Sequence, residues 1–75
     1  MAEYFLDALG EMCPLPNIMV RERLSQIDVG DVLVIETDHY CAKLTIQKEM
    51  KRLGHHVRVA QVAPGIWQVT ITKRG

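Results

Sequence analysis

Apolar positions recur along this chain with two different periods, and the switches between them predict six elements. Tyr4, Phe5 and Leu6 form a short apolar run ended by Asp7-Ala8-Leu9-Gly10, which reads as a first strand. Val20, Leu24 and Ile27, with Asn17 at the edge, fall on one stripe of a helix running from Pro14 to about Ile27. The turn cluster Asp28-Val29-Gly30-Asp31 closes it. The unbroken run Val32 to Ile35 predicts a strand buried on both faces. Asp38 offers an N-cap to a second helix whose core stripe is Ala42, Ile46, Met50 and Leu53, with Gly54 as its stop. Val57 to Val62 predicts a third strand and Ala63-Pro64-Gly65 a turn. Ile66 to Thr72 then predicts a fourth strand with Trp67, Val69 and Ile71 facing inward.

The order is βαβαββ. A strand–helix–strand unit implies a parallel pair joined by a right-handed crossover, and the last two strands form an antiparallel hairpin. The expected fold is an α/β two-layer sandwich: a mixed four-stranded sheet with two helices on one face. Residues 1–75 are expected to form a single domain, near the lower size limit for a self-sufficient core.

Helical spacing also says which apolar residues miss the core. Leu15, Ile18 and Met19 fall off the first helix's stripe, and Leu44 falls opposite the second helix's stripe, among lysines. Clustered exposed apolar side chains mark a contact surface; a helix start that tilts inward would bury them instead. Lys48, Lys51 and Arg52 share one side of the second helix.

Composition narrows the function classes. The chain is 48% apolar and 24% charged, and no apolar run reaches the roughly 20 residues that span a bilayer. Met1-Ala2-Glu3-Tyr4 lacks the basic region of a signal peptide, so a cytoplasmic protein is expected, where two cysteines serve chemistry more often than structure. Net charge is zero, which argues against bulk electrostatic binding of nucleic acid. The charge is unevenly spread: the acidic residues concentrate up to Asp38 and the basic ones from His39 onward.

The candidate chemistry sits at Cys13-Pro14-Leu15-Pro16. Prolines are tolerated in a first helical turn, whose N–H groups have no intrahelical partner, so the pair reads as a helix start with Cys13 at or next to the N-cap. A thiol there lies at the positive end of the helix dipole, which favours the nucleophilic thiolate. The bland reading is a small residue at a tight turn or inert core filler. Cys41 falls in the first turn of the second helix, at the same sheet edge. It is either a thiol able to resolve a Cys13 adduct or a spare cysteine too far away or wrongly aimed to bridge. Three histidines show no zinc-ligand spacing, so no metal or other cofactor is expected. His55 reads as closing the second helix's last turn, Trp67 as core with no second aromatic placed to make a base-stacking platform, and Ser25 as lacking a histidine partner.

These residues resemble the TusA-like, or SirA-like, sulfur carrier family over nearly the whole chain. The likeness runs through Leu6-Asp7 and Gly10, Cys13-Pro14-Leu15-Pro16, Gly30 before a hydrophobic strand, Asp38 after it, Gly54-His55 and Lys73. The resemblance implies the βαβαββ fold and a Cys13 that accepts sulfane sulfur as a persulfide and passes it to a partner protein. Donors would be desulfurase or rhodanese-type proteins, and a thiosulfate transporter is a further candidate partner. The N–H groups of Leu15 and Asn17 would then point at the sulfur. His39 and Gln47 stand where many family members have proline, which leaves the subfamily open. The competing readings are a non-catalytic RNA- or protein-binding module, and a redox protein shuttling a Cys13–Cys41 disulfide.

Overall fold

In the computed structural model, which describes residues 2–75, the elements run β1 (Glu3–Asp7), α1 (Leu15–Leu24), β2 (Val32–Thr37), α2 (Tyr40–Arg52), β3 (His56–Ala63) and β4 (Ile66–Thr72). The sheet order is β1-β2-β4-β3, with β1 and β2 parallel and the other two neighbouring pairs antiparallel. This is the expected βαβαββ two-layer arrangement. The parallel β1–β2 pair forces each following helix to start from the same edge of the sheet, and that edge carries both cysteines.

The core lies between the sheet and the helices. Aligned rows Tyr4, Leu33, Ile71 and Val57, then Leu6, Ile35, Val69 and Val59, line the helical side of the sheet. Val20 and Leu24 of α1, and Ile46 and Met50 of α2, close over them. Burying a side chain of this size is worth about 1.5–3 kcal/mol. Burial in β2 alternates instead of covering both faces: Leu33, Ile35 and Thr37 are buried, while Val32, Val34 and Glu36 are half-buried. Both helices lie on one side, so the opposite face stays bare and Phe5 is exposed there. Leu53, expected in the core, is exposed too, because α2 ends at Arg52 and Leu53 becomes its C-cap. Trp67 is half-buried at the end of β4, opposite Thr37.

Helix α1 ends earlier than its pattern predicted. After Leu24 the N–H groups of Gln26 and Ile27 bond three residues back, tightening the chain into turns. The Lys73 ammonium caps the end by donating to the carbonyls of Leu24 (2.7 Å) and Ile27 (2.8 Å). A cation at a helix C-terminus is favourable on both dipole and hydrogen-bond grounds. At the end of α2, Gly54 has φ +90°, its N–H bonds to the Lys51 carbonyl, and the His55 N–H bonds to that of Met50. That is a Schellman closure, which needs a residue without Cβ at its left-handed position. The His55 imidazole was expected to close the last turn of α2 and does not: its Nδ1 accepts from the Arg74 N–H (3.0 Å).

Asp31 anchors the start of the sheet. Its Oδ1 accepts from the Ala2 N–H (2.9 Å) and its Oδ2 from the Asp28 N–H (3.0 Å). These two backbone donors hold its carboxyl below the ordinary aspartate range. A carboxyl whose folded pKa is depressed stabilises fully above its unfolded value, and the contribution fades as pH falls through the folded one. The urea midpoint of the wild-type chain should therefore drop more steeply on acidification than that of Asp31→Asn; parallel curves would show that Asp31 carries no acid-linked stability.

Candidate functional site: a thiol pair at two helix starts

The site begins with two loops tied together by one carboxylate. Gly10 turns the chain after β1 at φ +81°, and its N–H donates to Asp38 Oδ1 (3.0 Å) in the loop after β2. The same oxygen contacts His39 Nδ1 (2.9 Å). Asp38 is thus not the side-chain cap of α2: the N-cap is His39, with no side-chain cap bond. Its carboxyl is held below the usual range, first by the Gly10 N–H and then by His39. The buried Thr37 hydroxyl accepts from the His39 N–H (3.2 Å), fixing where α2 begins.

Cys13 directly precedes Pro14, the N-cap of α1, and Pro16 follows in the first turn. Pro14 is exposed and Pro16 is buried against the core, which seats the start of the helix. The Cys13–Pro14 peptide is cis. Cys13 is half-buried and Cys41 exposed; both are free thiols, with their sulfurs 3.2 Å apart. Cys41 is therefore not too far from Cys13, the distance half of the expectation of a spare thiol.

Three side chains surround the Cys13 sulfur: the Cys41 thiol, Asn17 Oδ1 (3.8 Å) and the Thr45 hydroxyl (3.6 Å). The Leu15 N–H, expected to point at the sulfur, instead donates to the Met12 carbonyl (2.9 Å). Asn17 contributes through its buried side-chain amide. The Cys41 thiol donates to Cys13, and the neighbouring sulfur, through that bond and through its charge, pushes the Cys41 pKa up. Cys41 therefore holds its proton more tightly than an isolated thiol would. Both helix starts present positive dipole ends at this edge, which favours negative charge there.

Thr45 was not singled out by sequence. It lies four residues after Cys41, as Asn17 lies four after Cys13, so each stacks one turn along its helix from a cysteine. Its hydroxyl reaches Asn17 Oδ1 (3.1 Å) and the carbonyl of Cys41 (2.9 Å). One turn further, Arg21 pairs with Glu49 through Nε (2.9 Å) and Nη2. The pairs 13–41, 17–45 and 21–49 form a polar seam between parallel helices. Arg21 holds the Glu49 carboxyl below its usual range.

Ile18 and Leu15 are exposed as expected, alongside Met12 and Leu9. Met19 is half-buried and lines a shallow groove of about 300 Å³ with Leu6 and Gln26. Leu44 is half-buried, like Met19, and so less open than Leu15 and Ile18. Tyr40 meets Trp67 edge-on at 5.8 Å, with the Lys43 ammonium 4.4 Å from the Tyr40 ring centre. No helix among the described residues is long and apolar enough to cross a membrane.

Comparison with known proteins agrees with this geometry. Residues 4–73 match the family model described as "Sulfurtransferase TusA". The chain is 33% identical over 67 residues to a Thermotoga maritima protein described as "Putative sulfur carrier protein", covering 88% of this chain and 85% of that one. It is 32% identical over 69 residues to an Escherichia coli protein of the same description, TsuB, covering 91% and 92% of the two chains. The crystal structure of a SirA-like protein from Desulfitobacterium hafniense superposes with a TM-score of 0.86 at 26% identity, covering 96% of this chain and 99% of that one.

Asp38 tethers the loop leading to Cys13 to the start of the helix carrying Cys41. Asp38→Ala should slow Cys13–Cys41 cross-linking by diamide several-fold, read as the loss of free thiols with time; an unchanged rate would show that the tether does not align the sulfurs.

Proposed function

This chain belongs to the TusA family, and we propose on that footing that it is a sulfur relay whose acceptor atom is the Cys13 sulfur. The observation carrying the reading is a half-exposed thiol at a proline-fixed helix start, with a second thiol donating to it. The Cys13 thiolate attacks the outer sulfur of a donor protein's persulfide. A bond forms between Cys13 Sγ and that sulfur, the donor's S–S bond breaks, and the donor leaves as its thiolate. The acceptor's thiolate repeats the step on the Cys13 persulfide. Each exchange conserves oxidation state overall and calls for no metal or organic cofactor.

Accessibility is the second requirement, since the sulfur must enter another protein's active site. Met12 (68% exposed), Leu15 (44%) and Ile18 (49%) surround the start of α1 without being needed by the core, which suits them to that contact. Donors are desulfurase or rhodanese-type proteins, and the exchange belongs in the cytoplasm, where thiols stay reduced. A thiosulfate transporter fits the same scheme as a further partner. Pro14, Leu15, Pro16 and Asn17 position the thiol; only Cys13 bonds to the transferred atom. The wild-type chain, treated with a charged rhodanese-type donor, should gain one sulfur atom in intact mass. Cys13→Ser should gain none while keeping its far-ultraviolet circular dichroism; a sulfur atom still carried by Cys13→Ser removes Cys13 from the role.

A further inference from the structure

A simple carrier needs one thiol, and this chain holds a second one in contact with the first. We propose that Cys41 discharges the Cys13 persulfide, releasing the carried sulfur as hydrosulfide and leaving a Cys13–Cys41 disulfide. The inference rests on the relay reading above, because it requires a loaded Cys13.

The step balances internally. Cys41 sulfur attacks Cys13 Sγ, a Cys13–Cys41 bond forms, and the bond from Cys13 Sγ to the carried sulfur breaks. The carried sulfur takes the electron pair of that bond and the Cys41 proton, and departs as HS⁻. The carried sulfur is reduced, the Cys41 sulfur is oxidised, the Cys13 sulfur keeps its oxidation state, and no outside oxidant enters. Resetting the chain takes a dithiol reductant of the thioredoxin class.

Three features favour the step. The sulfurs lie 3.2 Å apart, so closing to the roughly 2.05 Å of a disulfide requires only a small side-chain movement. Cys41 is exposed, with no packed core to disturb as it turns. Loading also changes what Cys41 faces. In the unloaded chain its proton is held by the Cys13 sulfur and that sulfur's charge. In a persulfide the inner sulfur is uncharged and the charge sits one bond further out, so the hold on the proton weakens when a target appears. The Thr45 hydroxyl, 3.6 Å from Cys13 and 2.9 Å from the Cys41 carbonyl, keeps the two helix starts in register during the exchange.

The chain is loaded under anaerobic conditions by an immobilised rhodanese-type donor charged with thiosulfate and washed free of it. After the donor is removed, hydrosulfide is trapped with monobromobimane and intact masses are followed with time. Wild type should pass from one added sulfur atom to the loss of two hydrogens, releasing hydrosulfide in equal amount. Cys41→Ser should keep the added sulfur at least about tenfold longer, the least expected when an intramolecular nucleophile is removed. A wild-type chain that gains sulfur and keeps it overturns the discharge and leaves the relay standing. Equal hydrosulfide release by Cys41→Ser overturns the role of Cys41. No sulfur gained by either chain overturns the relay itself, and the discharge with it.

Discussion

The parallel packing of α1 against α2 is the constraint on which the rest of the site depends. Because β1 and β2 run parallel, both helices leave the sheet at one edge and travel in the same direction. Residues on the facing seam then pair at a constant offset of 28 positions: Cys13 with Cys41, Asn17 with Thr45, Arg21 with Glu49. Antiparallel helices would place the two cysteines at opposite ends of the layer. The ion pair at one end of the seam and the Asp38–Gly10 bond beyond the other fix its alignment, and so bring the sulfurs together.

The chemistry that results is spare. A half-exposed sulfur is served by a neighbouring thiol, a hydroxyl and a carboxamide, while two helix dipoles favour its negative charge. The apolar side chains around it, Met12, Leu15 and Ile18, are exposed where a partner protein would meet them. A folded unit of this size has little interior in which to build an enclosed pocket.

The chain's pattern made the architecture and Cys13 legible because both follow from local rules: apolar periodicity and proline at a helix start. What it left open depended on distance through space. Whether Cys41 reached Cys13 turned on the separation of two helices, which no spacing within either one reports. Thr45 was within reach of inference, since it sits one turn from Cys41 as Asn17 does from Cys13, but a lone threonine in a helix carries no signal until its facing partner is known. Lys73 and Arg74 reach back across the chain to the end of α1 and to His55, contacts that local pattern cannot show. The run Val32 to Ile35 looked doubly buried because β-branched and aliphatic residues suit a central strand whether or not its second face is covered. Trp67 and Leu53 kept the period of their elements but fell where those elements ran out of neighbours to cover them.

The strand order has a consequence for how the molecule is made. β4, last in sequence, lies between β2 and β3, and bonds to both. During translation, a nascent chain that stops anywhere before Ile66 leaves β2 with one unpaired edge, and β3 has no neighbour at all. Such an edge is a template for aggregation until it is filled. Assembly of the sheet's centre therefore waits for β4.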